Sequence, residues 1–521
     1  MNYAGITVGP IVDTMMMTST PGGLWCASYF FSQVTRDLCL ALRSEKLDIL
    51  TLPEGHDLDA PMGAAGTYHD RIYLCSELSE DEVSQRIESA IKEALNERAE
   101  EIATALGVTA KEAADSLNDI MQIHYTVFND SAVKQKGIAK TLADALDALE
   151  LVQNIKAEQT DNILRRLLRG TQDEANIYIK KYPALLSLAA SGTFHLVSGN
   201  DDVKLRDISS IARGGSKGKA GKYFAIVQCD GDNMGKVIGG TDPNASLESQ
   251  AQRIRDFSGF CMEYTTKATA QVNAFGGVVI YAGGDDLLFL APIYGNDNEN
   301  VWSLCKNIGE TFNEVFKESR FGNEALEPQP SLSFGVSVNY IKFPLYEAFD
   351  DARALLFGKA KGFGNKNNVA VKLHKHSGQA AGFVCHLTSG VENDGVFDSF
   401  LNFLKDFVDK ASDSKAEDQL IHSVLYHLEN QHSLFDAAME LCEKDGGTAV
   451  QNAFVNAFDN AGQAEAAKQN ERLAELAIAI ASEFKDGRIK GIGQKDDGKA
   501  ESRLYALTSM LRTIKFLTEE G

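Results

Sequence analysis

The stretch from residue 223 to residue 373 alternates apolar strands with helical patterns in an order that few folds accommodate. Its first six predicted elements run strand, helix, strand, strand, helix, strand, at 223–229, 246–272, 277–282, 287–291, 299–318 and 331–338. A helix near 344–361 and a strand at 368–373 follow. The βαββαβ order is that of the split ferredoxin-like arrangement. We therefore predict an α+β core in this part of the chain.

The first strand of this core is continuously apolar and then ends abruptly in carboxylates. YFAIVQC leads directly into Asp230, Gly231 and Asp232, and the run DGDNMGK closes with Lys236. A buried charge is costly unless it is paired or bound to a metal. Glycines let a phosphate approach backbone amides. A polar turn after a strand could give the same residues, so this motif alone leaves both interpretations open.

A second pair of acids follows in a predicted β-hairpin. Gly283, Gly284, Asp285 and Asp286 lie between two apolar runs in YAGGDDLLFLAP. Adjacent carboxylates repel each other and raise each other's pKa, which a divalent cation would relieve. In a βαββ core the hairpin tip lies beside the end of the first strand, so we expect this pair to meet Asp230. Mg²⁺ suits carboxylate and phosphate oxygens, and two such ions can serve nucleotidyl transfer.

A cationic loop completes the set of candidate residues. AKGFGNKN, at 360–367, carries Lys361 and Lys366 among glycines. Lysines in such a loop can neutralise the β- and γ-phosphates of a nucleotide. A solvated lysine-rich connection is the alternative.

These motifs resemble a known family. DGDNMGK followed by IYAGGDDLLFL resembles the large polymerase/cyclase subunit of type III CRISPR effector complexes, most closely the Cmr type. KFPLYEAFDDARALLFGKAKGFGNKN with the following HSGQ, the N-terminal ITVGPIVDT with LWCASYFFSQV, and YHDRIYL agree with that family. The resemblance therefore spans most of the chain. AKGFGNKN also resembles the end of GGDEF-type diguanylate cyclases.

The resemblance implies an α+β protein with two ferredoxin-like, palm (cyclase-like) domains, an intervening helical domain and a C-terminal helical bundle. We place an N-terminal palm-like domain at 1–78 and a helical domain at 79–205. The catalytic palm with the Gly-Gly-Asp-Asp hairpin is placed at 206–377, and the helical bundle at 378–521.

The resemblance also implies an activity. The resemblance implies synthesis of cyclic oligoadenylate from ATP when the complex binds target RNA, and this synthesis would serve antiviral defence. By this resemblance Asp230, Asp285 and Asp286 are catalytic and hold two Mg²⁺ or Mn²⁺ ions. The implied nucleotide-binding residues are Gly231, Asp232, Asn233, Lys236, Gly283, Gly284, Lys361 and Lys366.

Asp70 is the candidate for a second substrate position. Tyr68-His69-Asp70-Arg71 leads into the apolar run IYLC, which places Asp70 near a strand end as Asp230 is in the other palm. The family implies that donor and acceptor nucleotides lie between the two palms, so Asp70 is expected to bind the acceptor nucleoside. Some members accept S-adenosylmethionine and form a conjugate with AMP. A turn with an Asp–Arg surface pair is the alternative.

The charge and composition of the chain limit the partners that it is expected to bind. The chain has 51 basic and 73 acidic residues, a net charge of −22, which makes it a poor stand-alone binder of nucleic acid. Guide and target RNA are therefore expected to be contacted mainly through other subunits of the complex. No apolar run approaches the ~18 residues needed to span a bilayer and no secretory signal is visible, so no membrane contact and a cytoplasmic location are expected.

The sequence departs from the family pattern in two ways. Many members begin with an HD nuclease domain, whereas here His56-Asp57 and His69-Asp70 lack a helical metal-ligand set, so DNA cleavage is not expected. The eight cysteines form no CxxC pair, so no zinc site is expected. Two other functions stay open: a stand-alone GGDEF-like nucleotide cyclase and a non-catalytic nucleotide-binding scaffold subunit.

Overall fold

The computed structural model of the chain describes eight stretches: 1–152, 207–214, 220–387, 395–409, 414–458, 464–485, 489–492 and 503–518. Within these stretches, the description leaves out residues 17, 19, 61, 63, 64, 107, 241, 243, 297 and 298. The part of the predicted helical domain from 153 to 205 lies outside the described residues.

The N-terminal unit is a four-stranded antiparallel sheet with helices packed on it. Its elements are β1 (Asn2–Gly9), α1 (Ile11–Met16), α2 (Pro21–Ser44), β2 (Asp48–Ile49), β3 (Arg71–Ser76), α3 (Glu80–Leu106), α4 (Ala110–Ile120), β4 (Gln122–Asn129), α5 (Asp130–Val133) and α6 (Ile138–Glu150). The strand order is β2-β3-β1-β4. This is a ferredoxin-like order.

The predicted end of this unit at residue 78 is wrong. β4 pairs with β1 along its whole length, from Asn2↔Asn129 to Gly9↔Gln122. α3 and β4 therefore complete the first palm-like unit, and the helical domain predicted to begin at 79 does not begin there.

The second unit contains the predicted catalytic palm. Its elements are α7 (Ile208–Arg213), β5 (Tyr223–Asp232), α8 (Met234–Gly239), α9 (Leu247–Phe275), β6 (Val278–Gly283), β7 (Asp286–Pro292), α10 (Val301–Glu318), β8 (Ser331–Tyr340), α11 (Leu345–Leu355), β9 (Asn368–His374) and β10 (Ala380–His386). The central strands run in the order β8-β5-β7-β6, all antiparallel. The predicted α+β fold with a ferredoxin-like palm is confirmed.

The palm sheet extends beyond the boundary predicted at 377. β9 joins β8 in parallel, β10 pairs with β9, and the later strand β11 (Ile489–Gly491) pairs with β10. The remaining C-terminal elements are the helices α12 (Val396–Asp409), α13 (Ser414–Asn430), α14 (His432–Asp445), α15 (Thr448–Phe458), α16 (Ala464–Lys485) and α17 (Arg503–Thr518). They share one apolar core with the palm, for example through Trp302, Phe383 and Phe400.

Apolar contacts join the N-terminal unit to the palm. Trp25 and Tyr29 of α2 share a buried cluster with Ile280 of β6 and Leu288 of β7. The backbone N–H of Ala282 also donates to the carbonyl of Gly66 (3.0 Å). The N-terminal unit is therefore fixed beside the β6–β7 hairpin. Across the described residues, no helix combines the length and apolarity that a membrane span requires.

Candidate active site

β5 carries two acids to its C-terminal end. Asp230 pairs in register with Ser333 of β8 and Asp232 with Ser331, so both carboxylates belong to the ladder rather than to a loop. Side chains two residues apart share one face of a strand. Even so, the side chain of Asp230 is 18% exposed, whereas that of Asp232 is completely buried.

The β6–β7 hairpin brings its acids to the same place. Gly283 pairs with Asp286 across the turn, and Gly284 has φ of 65°, a conformation that glycine adopts without strain. The Asp285 side chain lies directly on Gly231, because a Cβ added there would be 2.9 Å from the Asp285 Cβ. The end of β5 and the hairpin tip therefore meet, as the element order predicts.

The electrostatics of the three acids reflect their closeness. Burial and the negative charge of Asp230 raise the pKa of Asp285 to about 7. Burial, Asp230 and Asp285 raise the pKa of Asp286 well above its ordinary value. An arrangement of this kind favours a bound cation.

Lys361 brings the positive charge of its ammonium group to the end of β5. Its ammonium group forms an ion pair with Asp230, donates to the carbonyl of Gly231 (2.8 Å) and lies 3.9 Å from Asp232 Oδ1. It follows a π-helical turn at 356–360, a feature frequent at functional sites. Lys366 reaches the same region, where its Nζ lies 3.5 Å from Oδ1 of Asn233.

Two of the predicted nucleotide-binding residues face elsewhere. Asp232 is fully buried, and its Oδ2 accepts hydrogen bonds from Ser331, Ser333 and the backbone of Asn367. A direct contact between Asp232 and a nucleotide therefore does not fit this structure. Lys236 is exposed and donates to the carbonyl of Glu327 (2.6 Å).

The donor chemistry suits a hard divalent cation. Asp230, Asp285 and Asp286 offer only carboxylate oxygens, and Mg²⁺ or Mn²⁺ would complete its shell with substrate phosphates and water. Within the part of the chain that the structure describes, no three acidic, histidine or cysteine side chains are already spaced as a metal cluster. Instead, Lys361 neutralises Asp230.

A cleft of about 230 Å³ runs from Asp285 and Asp286 to the N-terminal unit. Gly283 to Asp286 line one side, and the segment from Thr67 to Tyr73, with Asp70, lines the other. Burial raises the pKa of Asp70. Arg71 donates to Asp147 (2.7 Å) and Glu150 (2.9 and 3.0 Å) of α6, so it forms no Asp–Arg surface pair with Asp70.

Residues 223–370 match the family model described as Cas10/Cmr2, second palm domain. This stretch of the chain is therefore similar to the second palm domain of Cas10/Cmr2. The sequence is also similar to CRISPR system Cmr subunit Cmr2 of Pyrococcus furiosus, which is 31% identical over 198 residues. The alignment covers 34% of this chain and only 22% of that relative.

Solved structures share the fold over nearly the whole chain. A chain of the type III-B Cmr-β complex bound to cognate target RNA aligns with a TM-score of 0.58 at 11% identity, covering 99% of this chain and 83% of that one. A chain of the Csm1–Csm4 cassette in complex with cA4 aligns with a TM-score of 0.52 at 14% identity, covering 99% and 70%. At these identities the likeness establishes the fold alone.

The palm contains one cleft residue that the sequence motifs did not reveal. Tyr281 lines the cleft, and its hydroxyl lies over Gly283, where an added Cβ would be 2.5 Å from the hydroxyl oxygen. Burial and the negative charges of Asp70, Asp286 and Asp285 raise the pKa of Tyr281, which keeps the phenol protonated. Strand alternation could have revealed it, since Tyr281 and Gly283 share one face of β6.

The side of the cleft formed by α9 is largely apolar. Phe257, Cys261 and Met262 of α9 line it. Among the described lining residues, Arg71 is the one arginine and there is no lysine. His69 also lines the cleft, whereas His56 hydrogen-bonds to Tyr68 (2.9 Å). The eight cysteines are buried and form no disulfide among the described residues.

Proposed function

We propose that this protein is a nucleotidyltransferase that uses ATP as the donor and two divalent cations held by Asp230, Asp285 and Asp286. The observation that supports it best is the meeting of these three carboxylates, with Lys361 paired to Asp230 and a cleft opening from Asp285 and Asp286. Gly231, Gly283 and Gly284 would let the triphosphate approach the backbone. Lys361 and Lys366, with Asn233 between β5 and α8, would bind its β- and γ-phosphates.

The chemistry follows from this placement. An acceptor hydroxyl attacks the α-phosphorus of ATP, one P–O bond forms, the bond to pyrophosphate breaks, and the hydroxyl proton passes to solvent. Bound Mg²⁺ or Mn²⁺ ions supply Lewis acidity for the hydroxyl and the leaving pyrophosphate. Lys361 and Lys366 offset the charge that develops on the pyrophosphate. Asp70 and the Tyr281 hydroxyl orient the acceptor from the opposite side of the cleft.

Two acceptors are compatible with this chemistry. A second ATP leads to cyclic oligoadenylate, and S-adenosylmethionine leads to a conjugate with AMP. The acceptor side holds Asp70, while Arg71 is already engaged by Asp147 and Glu150. This side of the cleft therefore offers little positive charge to the triphosphate of a second ATP. The lining favours S-adenosylmethionine, whose sulfonium group is positively charged, as the acceptor. Supplying ATP alone, and then ATP with S-adenosylmethionine, and identifying the products by mass decides between them.

We place the protein in a type III CRISPR effector complex as its signal-producing subunit, activated by target RNA. The match to a Cmr2 palm and the shared fold with a chain of the type III-B Cmr-β complex support this. Its net charge of −22 favours contact with guide and target RNA mainly through other subunits. A cytoplasmic location belongs to the same proposal, since buried free cysteines suit a reducing compartment.

Replacing Asp70 with asparagine tests the acceptor position. We expect the KM for the acceptor to rise about tenfold, or the product to change, because a charged partner of the acceptor is lost. ATP binding at the three acids should not weaken. Steady-state rates at limiting acceptor, with ATP saturating, provide the measurement.

Asp57→Asn is the matched control, since Asp57 also follows a histidine in the N-terminal unit but is exposed and does not line the cleft. It should behave as the parent does. Identical product yield and identity for Asp70→Asn and the parent at limiting acceptor would exclude this role for Asp70.

A further inference from the structure

Asp232 is the most deeply buried acid of the palm site, and its environment is specific. Its side chain has no exposed surface, so its charge needs strong local compensation. Oδ2 accepts from Ser331 Oγ and Ser333 Oγ, both at 2.8 Å, and from the backbone N–H of Asn367 at 2.9 Å. The two serines belong to β8, whereas Asn367 belongs to the loop that carries the lysines.

That loop has an unusual backbone at the point of contact. Lys366 has φ of 68° and Asn367 has φ of 56°. Two successive non-glycine residues in the left-handed region are strained and persist only when their surroundings hold them there. The hydrogen bond from the Asn367 N–H to Asp232 is such a restraint, and it fixes the segment from which Lys366 reaches Asn233.

A second buried polar group holds the other end of the loop. Nδ2 of Asn368 donates to the carbonyls of Ala360 (2.8 Å) and Phe363 (2.6 Å), on either side of Lys361. Asp232 adds to this from β5, since its Oδ1 lies 3.9 Å from the ammonium of Lys361. The loop is thus tied to the sheet at both lysines.

We infer that Asp232 is a positioning residue that holds Lys361 and Lys366 in place for the nucleotide phosphates, rather than a group that contacts the nucleotide. This rests on the proposed function for the role of the lysines, whereas the tie between Asp232 and the loop stands on the hydrogen bonds alone. Its burial and its three donors leave Oδ2 without room for a ligand. An exposed carboxylate in its place would instead repel the phosphates.

Asp232→Asn tests this inference, because asparagine keeps the shape and removes the charge. Hydrogen exchange of the full-length protein without nucleotide should become faster in the segment 361–367 and stay unchanged at 283–286. Binding of ATP with Mn²⁺ should weaken about tenfold, since a charge-assisted restraint on the lysines is lost, while binding of AMP should hardly change. The ATP preference over AMP therefore falls.

The Lys366→Met variant should also lower the preference for ATP over AMP. Adding Asp232→Asn to Lys366→Met should weaken ATP binding by a smaller factor than Asp232→Asn does in the parent protein, because both changes act through Lys366. Asp398→Asn is the matched buried-acid control: Asp398 pairs with Lys306 (2.7 Å) in another part of the protein and its loss should leave the preference unchanged. If Asp232→Asn does not fold, Ser331→Ala and Ser333→Ala remove one donor each and should give smaller effects in the same direction.

Unchanged hydrogen exchange at 361–367 in a folded Asp232→Asn protein overturns the inference, even if the parent binds ATP. Equal weakening of ATP and AMP also overturns it, since positioning of the lysines would not affect AMP. Faster exchange at 361–367 in a protein whose parent shows no metal-dependent ATP binding would support the tie and reject the proposed function instead.

Discussion

Replacing Asp285 and Asp286 together with alanine is expected to reduce product formation at least ~10³-fold, as removal of the main electrostatic stabilisers of a transition state does. The reason is that these carboxylates, with Asp230, are the proposed ligands of the two cations, and burial and mutual repulsion raise the pKa values of Asp285 and Asp286. Mn²⁺ binding measured by calorimetry in the presence of ATP should be lost along with turnover.

The same variant should fold normally. The raised pKa values of Asp285 and Asp286 reflect burial and mutual repulsion, so neutral side chains relieve an unfavourable interaction and should not lower the free energy of unfolding. Glu347→Ala with Asp350→Ala, two exposed acids on α11, is a control that removes the same charge. Undiminished turnover by the Asp285 and Asp286 variant would refute the site.

Gly231→Ala is expected to lower turnover by roughly 100-fold, the cost of a misplacement of about 1 Å at a reacting centre. A Cβ at Gly231 would lie 2.5 Å from Met234 Cγ and 2.9 Å from the Asp285 Cβ. The Asp285 side chain must therefore shift from its position beside Asp230. Single-turnover rates at saturating ATP and Mn²⁺ are the measurement.

Gly235→Ala is the matched control from the same motif. A Cβ there would meet nothing within 4 Å, and the position is exposed and helical, so alanine should be tolerated or slightly stabilising. If both glycine variants lost turnover to the same extent, the loss would have a cause other than the contact with Asp285, and this explanation of Gly231 would be wrong.

The palm could be predicted from the sequence because its strands are buried on both faces and separated by long helices. β5 proved longer than the predicted 223–229, ending at Asp232. Acidic residues disfavour strands, but pairing of Asp230 and Asp232 with Ser333 and Ser331 extends the ladder through them. The contact of the hairpin with Asp230 followed directly from the element order.

The N-terminal unit was harder to delimit. Its last strand, β4, is only partly buried along QIHYTVFN, and it pairs with β1 across more than 110 residues of sequence, as Gly9↔Gln122 illustrates. A weak periodic signal between helices does not reveal such a long-range partner. The pairing of β11 with β10 escaped prediction for the same reason, since Gly491 pairs with Phe383, whereas β10 pairs locally with β9 just beyond the boundary placed at 377.

The roles of Asp232 and Tyr281 depend on burial that sequence does not report. Asp232 belongs to an acidic motif that suggested nucleotide contact, yet its neighbours are Ser331, Ser333 and Asn367. Tyr281 lies beside the Gly-Gly-Asp-Asp motif in sequence and lines the cleft. Both assignments require the positions of groups that are distant along the chain.

The central claim is tested most directly by incubating the assembled complex with labelled ATP or GTP and Mn²⁺, with and without target RNA, and identifying the products by mass. The account predicts a product that contains AMP, formed from ATP in preference to GTP, only when target RNA is present, and absent in the Asp285 and Asp286 variant. A guanosine product made without RNA would indicate a stand-alone cyclase. Binding of ATP with no product under any of these conditions would indicate a scaffold, and either result would contradict the account.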